Sequence, residues 1–157
     1  MANLIVVGIS DLKMASAPDT LITYALGSCV GICLYDNMRH IAGLSHILLP
    51  DSAMCTYDTN VYKFANTAIA ELVKQMEKMG CSRFWMTAKI AGGANMFAFT
   101  GTSIGDRNVE AVKIELKRLN IKIIAEDTGD KYGRTLHFDP QNGTVMVKSI
   151  ARGNKMI

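Results

Sequence analysis

Two periodicities alternate along the chain. Val61, Phe64/Ala65, Ala68/Ile69, Leu72 and Met76 recur every three to four positions, the spacing of one helix face. Asp58 or Thr59 is placed to cap this helix, and Gly80 to end it in a left-handed conformation. Val109, Val112, Leu116 and Leu119 predict a second helix, with Asp106 or Asn108 as cap and Asn120 as stop. Shorter apolar runs predict strands over 3–8, 21–26, 30–35, 41–49, 83–90, 121–126, 134–138 and 144–150. Segment 11–19, with Pro18 and small residues, reads as irregular. Asp36-Asn37-Met38-Arg39 reads as a hairpin connection and Pro140-Gln141-Asn142-Gly143 as a turn. Two helices and about eight strands, mostly hairpin-linked, predict an α+β layered sandwich spanning 1–157 as a single domain. The 30–48 hairpin is apolar on both faces, so something must cover each side of it.

Composition narrows the function classes. The chain has 157 residues, 49% of them hydrophobic and 20% charged, with only 3 prolines, which suits a folded core and not a disordered chain. No apolar run approaches the ~18 residues of a membrane span. Met1-Ala2-Asn3 lacks a basic start, so no secretory signal and no membrane insertion are expected, and the expected location is cytoplasmic. The net charge of +3 is spread along the chain. Its densest basic stretch, Lys148, Arg152 and Lys155, lacks interleaved aromatics, so nucleic acid is not an expected partner. Cys29, Cys33, Cys55 and Cys81 form no C-x-x-C, and no zinc module or other metal site is expected. The acidic trio Glu126, Asp127 and Asp130 reads as a solvated turn.

Hairpin geometry puts one candidate chemistry on a strand. If the loop is 36–39, opposed residues have numbers summing to 75, and Cys29 meets His46. A thiol beside an imidazole is the minimum apparatus of a cysteine nucleophile with its base, and an imidazolium there would favour thiolate at working pH. Gly27-Ser28 before it is a permissive backbone with N–H groups that suit an oxyanion. The same residues also fit a buried structural cysteine and a core histidine. Cys33, four residues on, lies ~13 Å away along a strand, too far to share a metal within it. Two glycine segments, Ala91-Gly92-Gly93-Ala94-Asn95-Met96-Phe97 and Gly101-Thr102-Ser103-Ile104-Gly105, are either tight turns or loops offering backbone N–H groups. Neither has a P-loop ending or a G-x-G-x-x-G spacing, so no nucleotide cofactor is expected.

Five ordered blocks carry a resemblance over residues 20–148. They are Leu26-Gly27-Ser28-Cys29-Val30; Ser45-His46-Ile47-Leu48-Leu49-Pro50-Asp51-Ser52; the segment from Lys89 to Phe97; Ile104-Gly105-Asp106-Arg107-Asn108; and the segment from Glu126 to Arg134. In these the chain resembles the chemoreceptor glutamine deamidase family (CheD) of bacterial chemotaxis. The resemblance implies a fold of two mixed, largely antiparallel β-sheets packed in layers with the two main helices outside. It implies a cysteine at Cys29, a histidine at His46 and a third catalytic residue at Thr23. The implied reaction converts selected glutamines on chemoreceptor cytoplasmic helices to glutamate through a thioester, without cofactor. An implied partner is the chemotaxis phosphatase CheC. Gly27, Ser28, Gly92, Gly93, Asn95 and Phe97 are candidates for oxyanion or substrate contact, with Met96 and Phe99 adding apolar surface. The alternatives are a module that mainly binds and regulates the phosphatase, a zinc protein using Cys29, Cys33 and His46, and a cysteine hydrolase cleaving peptide bonds.

Overall fold

A computed structural model describes residues 1–97 and 101–157. Ten strands among them form two five-stranded sheets. The first sheet contains β1 (Leu4–Val6), β3 (Thr20–Leu26), β8 (Arg134–Phe138), β9 (Val145–Ser149) and β10 (Gly153–Met156), in that order. The second has the order β2 (Asp11–Ser16), β5 (Ile41–Ile47), β4 (Val30–Asp36), β6 (Met86–Gly92) and β7 (Lys122–Thr128). β1–β3 and β6–β7 are parallel pairs, and the others are antiparallel. This is the layered α+β sandwich expected from the element pattern.

β4 is buried at every position, which is why its sequence is apolar on both faces. Val30, Ile32 and Leu34 face the helices α1 (Ala65–Lys78) and α2 (Ile104–Arg118) in one cluster with Ile69, Leu72, Val112 and Leu116. Cys29, Cys33 and Tyr35 face the first sheet, packing with Leu21, Leu26, Leu136 and Phe138. The layers therefore run helices, second sheet, first sheet. Burying a side chain such as Leu34 or Ile32 contributes roughly 1.5–3 kcal/mol, so this doubly covered strand is a main stabilising element. No helix among the described residues is long and apolar enough to cross a membrane.

Several boundaries differ from expectation, each for a tertiary reason. α1 begins at Ala65, not near Val61. Leu48 and Leu49 donate their N–H groups to Lys63 O, and Ala65 N–H donates to Leu49 O, which holds 63–64 extended. Asp58 accepts from Asn60 N–H in a turn and does not cap the helix. α2 begins earlier, at Ile104, because Ser103 and Asp106 form a reciprocal capping box, so Asn108 lies inside the helix. Gly80 (φ +95°) and Asn120 (φ +58°) are left-handed, as their stop roles require. Segment 11–16, read as irregular, is the edge strand β2, with only Leu12 and Ala15 buried. Residues 83–85 form a 3₁₀ turn before β6, and the exposed β10 had no apolar signal. Asp127 is no solvated turn residue: it is buried in β7, accepts from Tyr132 Oη and pairs with Arg134 and Lys155.

Candidate functional site

The β4–β5 hairpin sets the stage, in a register two residues from the one expected. Its turn is 37–40, Asp36 pairs with Ile41, and opposed residues sum to 77. Asp36 stays in the ladder because its buried carboxylate accepts from the N–H groups of Met38, Arg39 and Ser82. His46 is consequently opposite Gly31, and Cys29 lies just past the last pair, Val30–Ile47. A shift of two preserves side-chain parity, so Cys29 and His46 still share the face turned to the first sheet. They are diagonal neighbours, with Cβ atoms on the order of 7 Å apart, a gap that an imidazole and a thiol can span. Gly31, opposite His46, carries no side chain of its own into that face: a Cβ there would lie 2.7 Å from Leu136 Cδ1 and push it aside.

Thr23 comes from the other sheet. Its Oγ1 lies 2.7 Å from Val7 O and 2.7 Å from His46 Nδ1, and all three groups are buried. A carbonyl can only accept, so the Thr23 hydroxyl proton goes to Val7 O. The hydroxyl oxygen then accepts from His46 Nδ1–H. That pattern fixes the neutral imidazole with its lone pair on Nε2. Nε2 is buried and makes no hydrogen bond. β3 brings Thr23 inward just before a bulge, where the register shifts between Thr23 and Leu26 and Ala25 has φ +60°.

The electrostatics differ from the ion pair expected from the sequence. Burial lowers the His46 pKa to about 4. Burial also pushes the Cys29 thiol up, opposed by its own backbone N–H. Both shifts favour neutral thiol beside neutral imidazole, because a desolvated site penalises charge. The site at rest is a neutral pair with a free acceptor on Nε2.

The glycine segment 91–97 packs on the same corner. Gly93 N–H donates to Cys29 O and Ala94 N–H to Gly27 O, while Gly27 N–H donates to Ala25 O. These amides are committed to the backbone, so Gly27 and Gly93 shape the loop and do not offer free donors. A Cβ on Gly92 (φ +113°) would lie 2.2 Å from Cys29 O. Asn95 N–H donates to Asp130 O. Met96 packs over Gly27, with its Cγ 3.3 Å from where a Cβ would be, and Phe97 is 79% exposed. Phe99, expected beside them, lies outside the described residues. Ser28 offers its carbonyl to Asn108, a buried residue that the sequence pattern assigned to a helix cap.

Burial pushes the thiols of Cys33 and Cys81 up, Cys33 beyond any ordinary working range and Cys81 to about 11. Cys55 sits half-buried in a loop. Among the described residues no three His, Cys, Asp or Glu side chains converge as a metal site.

Comparison with known proteins shows what the chain as a whole is similar to. A family model described as "CheD chemotactic sensory transduction" matches residues 48–149. The "Probable chemoreceptor glutamine deamidase CheD" of Syntrophomonas wolfei is 48% identical, covering 100% of both chains. The protein of the same name from Clostridium botulinum (strain Hall) is 50% identical over 96% of each. A solved structure, Bacillus licheniformis hypothetical protein YfiH, covers 69% of this chain and 46% of its own at 14% identity, with a TM-score of 0.46. With near half its positions shared with two CheD relatives over 96–100% of the chain, and a family model matching residues 48–149, this chain belongs to the CheD family.

Proposed function

We propose that this chain is a protein-glutamine deamidase acting on chemoreceptors, with Cys29 as nucleophile, His46 as acid–base and Thr23 as its orienting partner. The observation that carries this reading is the free Nε2 of His46, its tautomer held by Thr23, on the face shared with Cys29. Nε2 takes the thiol proton as sulfur attacks the glutamine carboxamide carbon. The Cys29 N–H, which favours charge on its own sulfur, and the Ser28 N–H beside it serve as donors to the oxyanion. The imidazolium so formed is more acidic than an ordinary one, because burial holds its pKa near 4, and it readily protonates the departing amide nitrogen. Ammonia leaves, a thioester remains, and His46 then draws a proton from water. That water attacks the thioester, releasing glutamate and the thiol. The Thr23 oxygen accepts from Nδ1–H throughout, so it positions the ring and stabilises its cation modestly.

In this reading residues 1–157 act as one deamidase domain in the cytoplasm, where receptor helices carry the substrate glutamines. Met96 and Phe97 form apolar contact surface beside the site, and the phosphatase CheC docks on the same surface. The test is incubation with a receptor cytoplasmic fragment, followed by mass spectrometry and ammonia release. Wild type converts amide to acid without cleaving the chain, and Cys29→Ser, nearly isosteric but with a hydroxyl far harder to deprotonate and less nucleophilic than a thiol, converts none. Conversion by Cys29→Ser at the wild-type rate would overturn the assignment.

A further inference from the structure

We infer that Asn108 is a positioning residue that sets the separation of Cys29 and His46, an inference that rests on the deamidase reading above. The last rung of the β4–β5 ladder is Val30–Ile47. Beyond it the two chains part: Leu48 N–H turns to Lys63 O, and Cys29 O takes its hydrogen bond from Gly93 N–H. Asn108 spans that split. Its Nδ2 donates to Ser28 O at 2.9 Å and to Leu48 O at 3.0 Å. Ser28 directly precedes Cys29, and Leu48 follows His46 by two residues. One amide group therefore ties both arms at the point where the backbone no longer does.

The tie is anchored to a helix with no slack. A Cβ on Gly105 in α2 would lie 2.4 Å from Ala94 O and 2.5 Å from Gly93 O, and one on Gly93 would lie 2.2 Å from Val109 Cγ2. α2 is thus pressed directly onto the loop that holds Cys29 O. Asn108 is itself fully buried, and its Oδ1 makes no hydrogen bond. A buried unsatisfied acceptor is a cost that leucine, with the same branched skeleton, would avoid. The two donated bonds are what the amide supplies at this position.

The experiment compares wild type with Asn108→Leu and Asn108→Ser, with Leu72→Ala in the helix-side core as a destabilised control away from the site. Each is assayed on the receptor fragment well below its melting temperature, with Cys29 alkylation by iodoacetamide measured alongside. Loosening the tie lowers kcat by about 100-fold in Asn108→Leu, the scale of a misplacement on the order of 1 Å, and leaves KM near wild type. Leu72→Ala lowers the melting temperature and leaves kcat unchanged. Adding His46→Ala to Asn108→Leu slows Cys29 alkylation no further than His46→Ala alone, because one variant has already removed what the other removes. If Asn108→Leu does not fold, Asn108→Ser carries the same comparison. Wild-type kcat in a folded Asn108 variant overturns the inference while leaving the deamidase reading intact. A wild-type protein inactive on receptor, with Cys29 no more reactive than the other thiols, overturns that reading instead.

Discussion

Acidification tests the neutral state of His46 directly. In the unfolded chain a histidine takes up its proton near pH 6.5, whereas burial holds His46 down at about 4. Between those values the unfolded state binds the proton and the folded state does not, so acid favours unfolding. The stability at issue is complete above about pH 7, is lost progressively as the pH falls, and levels off below about 4. For a native pKa near 4, the loss from this one group between pH 8 and pH 5 is about 2 kcal/mol, a thirtyfold change in the folding equilibrium. His46→Asn removes the titration and keeps an amide nitrogen where Nδ1 donates to Thr23, so it isolates the effect. Urea denaturation at pH 8 and pH 5 should show wild type losing about 2 kcal/mol more than His46→Asn. The difference between the two proteins cancels His137, which burial and Lys148 also hold down. Equal losses in both proteins would refute a neutral buried His46. The same state makes the acid limb of kcat/KM fall near pH 4 and not near 6.5.

Thr23→Val is isosteric and strips Val7 O of its donor and His46 Nδ1–H of its acceptor; kcat should fall roughly 10–100-fold, Thr23→Ser should restore most of it, and single-turnover deamidation is the measure. Gly92→Ala forces a Cβ onto Cys29 O at a left-handed backbone position and should cost at least about 2 kcal/mol in chemical denaturation, with native stability in the variant arguing against the packing described. Phe97→Ala removes an exposed ring, so it should leave the melting temperature unchanged while weakening receptor-fragment binding about tenfold, and a titration with CheC present should show the two ligands competing.

How much was legible in the chain follows from where each constraint originates. The helix faces and the doubly buried β4 are local patterns, and periodicity alone locates them. The hairpin register is not local, because Asp36 is kept in the ladder by Ser82, a residue far along the chain. The expected register was off by two, and only its even size preserved the shared face of Cys29 and His46. Thr23 carries no local signature, since its role depends on the opposite sheet, and it entered through resemblance alone. Asn108 was misread for a similar reason. The Ser103–Asp106 box starts the helix a turn earlier, and a polar residue on a buried helical face was the available clue. The ion-pair expectation took no account of desolvation, which sequence adjacency does not reveal and which here favours the neutral form of both partners.

The site draws Thr23 from one sheet and Cys29 and His46 from the other, with Asn108 reaching in from α2. During synthesis the thiol and the imidazole leave the ribosome early, yet the strands β8 and β9 that complete the first sheet come from the last quarter of the chain. A chain lacking β8 therefore carries Thr23 on a strand without its antiparallel partner in the first sheet. Under the deamidase reading, competence depends on two sheets brought together, so turnover reports on the assembled sandwich and not on the β4–β5 hairpin alone.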